Sequence, residues 1–532
     1  MYKASDRNIA TSLFLSVSIT IFWTPSAYRK SDTIFYLRDM LNSTLYNQVT
    51  DNKMETVIEN EGCTIPQVIW SPKQLSESYM KPELLKPCQS IRHPLLKNNQ
   101  THIWVLDENL PDHHVNKFVN FECCYQATQY IKRKNKYTKT QCEYFKNYIK
   151  ADDEYVRVTC RYNLKVIYEQ FFVFATKKPF TVHRPHSFVK LQNDTEYNVI
   201  ILGLGSISRA NFHRTMRHTS KFLAERGAVE LLGYNKVAES TFLNMMPVLT
   251  GMAGKQLKKT CWPKARTTLD SCSFIWERFK DEGYYSAFIE DSNGNGILKD
   301  NNYGFSSPPT DYYLHPSFHE TSGKNNICLG NEFIYSVSLD HLENIIFRTK
   351  SSKLFALFWE SSMSHEYLNF PMVMDDTYAA FLRNIEHSGY LNETILIVLS
   401  DSGLKSSGGK SLGGKFLAES NLPIANIWVP QSFRSEYSVA FENLKINSGR
   451  LTTAFDIHAT LIDLIDLYAI RNPEIATRAS MNYTNRRGIS LFLPISGSRT
   501  CAQSGIKKRL CACRKNKKTT LKKKHKKKVL RS

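Results

Sequence analysis

Five short, almost unbroken apolar runs constrain this chain more than any other feature. They are NVIILGLG (198–205), YYSAFIED (284–291), KLFALFW (353–359), TILIVLSD (394–401) and PIANIWVP (423–430). A strand with one wet face alternates; a strand that does not alternate is covered on both faces. Between the runs lie helical patterns at 211–227, 272–283, 375–389 and 453–467. Gly227, Gly283 and Gly389 stand where a helix-ending glycine belongs. Strands alternating with amphipathic helices predict an α/β domain with a mainly parallel central sheet. Ligands of such sheets gather beyond the carboxyl ends of the strands. The residues just after each run are therefore the candidates for chemistry.

Upstream, residues 61–190 hold six cysteines among short alternating runs such as THIWVL (101–106), YVRVTC (155–160) and LKVIYEQFFVFAT (164–176). That pattern predicts a small disulfide-bonded β-rich domain ahead of an α/β domain over 195–495. Residues 496–513 form a cysteine-containing end with RTC and CAC. Ahead of the domains, Lys3 and Arg7 precede an apolar stretch inside residues 1–27, which reads as a signal peptide or signal anchor. A polar stem follows over 28–60. Twelve cysteines and the sequons at Asn42, Asn99, Asn193, Asn392 and Asn482 agree with a glycosylated, disulfide-bonded protein of the secretory pathway, extracellular or held as a type II membrane protein.

The net charge of +21 is mostly local, because Lys507–Ser532 carries fourteen Lys and Arg and no acid. The basic tail, 514–532, is low in complexity and expected to be disordered. It suits an anionic glycan or lipid headgroup; a specific nucleic-acid role conflicts with secretion.

Four places could carry chemistry. Thr241, in ESTFLNMMP, starts a helical pattern and is either an N-cap or a nucleophile, with Asn244 helping to hold the ester oxygens. Asp401 ends an apolar run in SDSG and is either a turn-closing residue or a metal ligand. His365 follows another strand, with Glu360 and Glu366 as nearby oxygens. His458 lies in an amphipathic helix, where Asp456 is an alternative oxygen or could orient the imidazole.

The ordered motifs GLGSISR, GYNKV, TFLNMMPVLTG, PTDYYL, SHEYLN, SDSG and RLTTAFDIHATL, with the terminal RTC and CAC, resemble the domain-of-unknown-function 229 family, secreted animal proteins of the alkaline-phosphatase and sulfatase superfamily. The resemblance covers about Cys63 to Cys513. It implies an alkaline-phosphatase-like α/β sandwich. It also implies hydrolysis or transfer of phosphate or sulfate esters, with zinc or another divalent metal. By motif, Thr241 falls at the nucleophile and Asp401, His365 and His458 at metal-site positions. Two positions depart from the pattern. Gly205 stands where the first strand motif has Asp, and Ser402 where SDHG has His. A catalytic zinc usually keeps three protein ligands, so these departures imply that one metal site is lost. Two readings follow: a ligand- or partner-binding pseudoenzyme, or an active metal-dependent ester hydrolase or transferase using Thr241. The latter is not of the ordinary sulfatase kind, since CxPxR is absent around Thr241.

Overall fold

The computed structural model describes residues 56–67, 75, 79, 88, 93–117, 119–131, 136–178, 196–261, 268–291, 296–297, 304–314, 327–407, 410–411, 418–481 and 486–514. The N-terminal apolar segment, the tail beyond Arg514 and the sequons at Asn42, Asn193 and Asn482 lie outside these residues. All described residues belong to one compact unit. No helix among them is long and apolar enough to cross a membrane.

The cysteine-rich region folds as antiparallel β-structure. Its largest sheet runs Lys165–Val173, Tyr155–Tyr162, Phe121–Ile131, Lys136–Lys139, with Glu143–Phe145 also pairing with Phe121–Ile131. Cys123 and Cys160 are register partners on adjacent strands and are joined by a disulfide. Cys124–Cys142 closes a second bridge beside it. Alternation along Tyr155–Tyr162 buries Val156, Val158 and Cys160 against Ile103, Ile149 and Phe172.

The α/β region is built on a seven-stranded sheet. Its strands are β1 (Asn198–Leu204), β2 (Val229–Glu230), β3 (Tyr285–Glu290), β4 (Tyr312–Leu314), β5 (Leu354–Glu360), β6 (Thr394–Leu399) and β7 (Ala425–Trp428). They lie in the order β2-β7-β6-β1-β5-β3-β4. All five apolar runs are strands of this sheet. β1, β3, β5 and β6 are parallel, as expected of uniformly buried strands. β7 is antiparallel to β6. Adjacent antiparallel strands need no crossover of the sheet between them. Val199, Ile201, Phe355, Leu357, Trp359, Ile395 and Ile397 fill one face together with Ile275, Trp276 and Phe279. On the other face Ile200, Leu202 and Val398 are equally buried, and the helix Ile334–Arg348 packs against β3 and β5. Gly227, Gly283 and Gly389 all adopt the left-handed conformation that ends a helix.

All twelve cysteines are paired. Besides the two bridges above, the pairs are Cys63–Cys513, Cys88–Cys328, Cys261–Cys272 and Cys501–Cys511. Cys88–Cys328 joins an early residue to the α/β region, and Cys63–Cys513 joins another to the cysteine-containing end. The Thr56–Glu59 and Thr64–Pro66 hairpin does not join the antiparallel sheet. Ile58, Cys63 and Ile65 pack instead with Val237, Leu451, Phe455 and Leu510, and Thr64 bridges to Arg514. Residues 56–66 and 501–514 are thereby fastened to each other.

Candidate active-site edge

At the carboxyl edge, the turn after β1 is held from both sides. The Gly205 amide donates to the Glu360 carbonyl at 2.7 Å, the Ser206 amide to Asp401 Oδ1 at 3.1 Å, and the Ile207 amide to Ser400 Oγ at 3.0 Å. Ser208 Oγ caps the following helix, accepting from the Asn211 amide at 3.0 Å and donating to Glu419 Oε1 at 2.5 Å. Arg214 forms a buried ion pair with the same Glu419. Ser206 has a φ of 56°, a left-handed conformation rare outside glycine. These bonds hold it there, and such strain concentrates at functional sites.

Two of the expected residues meet at Ser206. Ser206 Oγ lies 3.2 Å from His365 Nδ1 and 3.4 Å from Nε2, while its amide is bound by Asp401. Asp401 is buried, and its Oδ2 has no hydrogen-bond partner among the described residues. A Cβ added at Gly205 would lie 2.9 Å from the Glu360 carbonyl oxygen, 3.0 Å from His365 Nε2 and 3.2 Å from Ser361 Cβ. A side chain at Gly205 would therefore press on the Glu360 backbone and on His365.

Thr241 is the first residue of α1 (Thr241–Thr250) and is half-buried. The N-cap is its neighbour Ser240, whose Oγ accepts from the Leu243 amide at 3.4 Å. Asn244 faces inward. Its Oδ1 accepts from the Val237 and Ala238 amides at 3.0 and 2.7 Å, and its Nδ2 donates to the Ala238 carbonyl at 3.2 Å. These bonds fix the loop ahead of α1. His458 lies in α2 (Ala454–Ile465), where its Nδ1 is 2.9 Å from the Val248 carbonyl and its ring covers Gly251. Val248 is seven residues along α1 from Thr241, roughly 10 Å by helix rise. Burial lowers the His458 pKa and favours the neutral ring. Asp456 does not orient it. Asp456 instead binds the Arg499 guanidinium through two 2.9 Å bonds and accepts from the Thr453 and Ile489 amides.

Glu360 and Glu366 part company. Glu366 is exposed, whereas Glu360 is fully buried and accepts from the Met363 amide at 2.7 Å. Burial, then the nearby Asp291 carboxylate, raises the Glu360 pKa well above the usual range. Burial also lifts Asp291 to about 6 and Glu290 to about 8. Acids whose folded pKa exceeds the unfolded value stabilise the fold fully below the unfolded value. That contribution is lost as pH rises through the folded pKa. The thermal midpoint should therefore fall by several degrees, roughly, between pH 5 and pH 8. Glu290→Gln should flatten the decline in a pH series of melting curves; an unchanged slope would contradict the assignment.

Cations rather than a metal-ligand set face this edge. The Lys236 side chain is fully buried, 3.4 Å from Ser420 Oγ and 3.9 Å from Glu239 Oε2. Burial, then the Lys405 ammonium, pushes its pKa down to about 8, against the pull of Glu239 and Asp401. Lys405 Nζ in turn holds the Glu239 carboxylate at 2.7 Å and its carbonyl at 2.9 Å. Among the described residues, no three His, Asp or Glu ligand atoms come within 4.8 Å of one another. The one grouping with metal-ligand chemistry is Cys501, Cys511 and Cys513, all held in disulfides. Asp401, His365 and His458 thus do not fit a divalent metal as one ligand set. Asp401 and His365 share a place at Ser206, while His458 belongs to the packing of α2 on α1. The sequence signal for Ser206 is the GLGSISR turn after β1, in which the serine directly follows Gly205.

The family described as "Protein of unknown function (DUF229)" matches residues 81–532. A comparison with curated proteins finds no match. Among solved structures, the chain is similar to the lipoteichoic acid synthase LtaP from Listeria monocytogenes, at 13% identity over 51% of this chain and 72% of that one, with a TM-score of 0.38. A protein in the alkaline phosphatase superfamily from Vibrio parahaemolyticus is similar at 17% identity, covering 51% and 67%, with a TM-score of 0.38. The phosphonate monoester hydrolase SpPMH from Silicibacter pomeroyi is similar at 11% identity, covering 51% and 73%, with a TM-score of 0.37. Likeness this distant carries no functional weight by itself; the residues at the edge do.

Proposed function

The chain belongs to the family described as protein of unknown function DUF229, and from that premise we propose that it binds phosphate or sulfate esters at its carboxyl edge without turning them over. The observation that carries this reading is the closed space at Gly205, where a Cβ would sit 3.0 Å from His365 Nε2. A metal-assisted hydrolase needs a carboxylate beside the nucleophile to bring the cation that stabilises the developing charge. Here Gly205 stands in that position, and Ser402 replaces the histidine expected next to Asp401. What remains suits recognition: a buried cation at Lys236 and an exposed one at Lys405, both held to Glu239. Secretion fits the six disulfides and the exposed sequons Asn99 and Asn392, and the ligand is then an extracellular or lumenal glycan or lipid ester.

The second reading, hydrolysis or transfer through Thr241 with a metal, draws on the unpartnered Asp401 Oδ2. One assay separates the two. Purified chain is titrated with 4-nitrophenyl phosphate and 4-nitrophenyl sulfate, with and without a chelator. Chelator-insensitive binding without nitrophenol release is the expected result. Chelator-sensitive release that Thr241→Ala abolishes would establish the hydrolase instead.

A further inference from the structure

Three cations converge on one carboxylate just ahead of α1. Lys405 Nζ lies 2.7 Å from Glu239 Oε2, Arg509 Nε 3.6 Å from Glu239 Oε1, and Lys236 Nζ 3.9 Å from Glu239 Oε2. Counted against Glu239 alone, the three cations leave two positive charges in surplus. The partners differ in freedom. Lys236 has no exposed side-chain surface, whereas the Glu239 side chain is 40% exposed and can turn into water. Arg509 is brought here by the ten-residue separation that Cys501–Cys511 closes. Asn235, next to Lys236, clasps the same segment. Its Nδ2 donates to the Leu510 carbonyl and its Oδ1 accepts from the Ala512 amide, both at 2.9 Å. The cation cluster is thus assembled by three parts of the chain, and the loop 400–424 supplies Lys405 from the sheet edge itself.

We propose that Lys236, Lys405 and Arg509 form a binding site for a tetrahedral oxyanion, the terminal sulfate or phosphate of an ester, and that Glu239 fills it in the free protein as an internal counter-anion. The inference rests on the ester-binding reading and names its anion-recognising element. A single carboxylate offers two oxygens to three cations that between them can donate from several N–H groups. A sulfate or phosphate offers more oxygens in a tetrahedral arrangement, so it can meet all three where Glu239 meets mainly Lys405. Binding exchanges one anion for another. No bond to the chain is made or broken, and Glu239 moves outward by a side-chain rotation.

The test uses the whole purified chain at fixed ionic strength, since exposed charges are screened by salt. Inorganic sulfate and inorganic phosphate are titrated separately by calorimetry, followed by a matched monosaccharide sulfate and monosaccharide phosphate. Glu239→Gln removes the internal competitor and should tighten oxyanion binding about fivefold. Lys405→Gln, on a half-exposed residue, should weaken it about fivefold. Lys236→Met keeps the length of the buried side chain and should weaken it about tenfold, with a melting curve to verify folding. The sulfate and phosphate arms decide which ester is preferred. If Glu239→Gln binds no more tightly than the unaltered chain, or Lys405→Gln binds equally well, the cation cluster is not the site, though the ester-binding reading stands. If neither the unaltered chain nor Glu239→Gln binds any of the four probes, both fail.

Discussion

Replacing Arg499 with Met should destabilise the protein by about 3–5 kcal/mol, because it leaves a buried carboxylate without its partner. Asp456 is fully buried, and the Arg499 guanidinium meets both of its oxygens at 2.9 Å. The pair also organises the neighbourhood. Arg499 donates to the Leu451 and Arg487 carbonyls, while Asp456 caps α2 through the Thr453 amide. Arg499 therefore joins the disulfide-bonded end of the chain to the helix that carries His458. Thermal or denaturant unfolding of the substituted chain measures the loss. A change below about 1 kcal/mol would mean that the pair behaves as an exposed one does.

Installing the missing carboxylate should not rebuild a metal site. Gly205→Asp is expected to cost about 3 kcal/mol, from overpacking against backbone and from burying a new charge. Its Cβ would approach the Glu360 carbonyl oxygen to 2.9 Å, an atom that cannot yield without disturbing the β1–β5 pairing. His365 Nε2 at 3.0 Å must move as well, breaking its contact with Ser206. Metal content and melting temperature of this variant, alone and with Ser402→His, check the account together. A stable double variant holding one zinc per chain would show that the edge is only two substitutions from a working site.

The sheet was legible because its strands are buried on both faces, and that leaves an unmistakable signature in NVIILGLG, KLFALFW and TILIVLSD. The direction of β7 was not legible, since an apolar run reads the same in either direction. At the edge, the sequence placed His365 and Asp401 after two strands that prove to flank β1, and the fold brings both to Ser206. Asn244 and His458 looked equally chemical. Their spacing could not reveal that one satisfies a loop backbone and the other a helix carbonyl. A polar side chain inside a protein must find partners, and local sequence does not say whether they are substrate or main chain. The cation cluster was hidden for a further reason. Lys236, Lys405 and Arg509 are far apart in sequence and meet through the Asn235 clasp and the Cys501–Cys511 bridge.

The most direct measurement is elemental analysis of the purified chain, run after dialysis against buffer supplemented with zinc, manganese and calcium and then desalted. An ester-binding protein without a metal-ligand set should retain well under about 0.1 ion per chain, since tight sites hold three or more protein ligands. Retention of one or two ions per chain, lost together with ester binding on Asp401→Asn, would contradict the account and restore a metal-dependent enzyme.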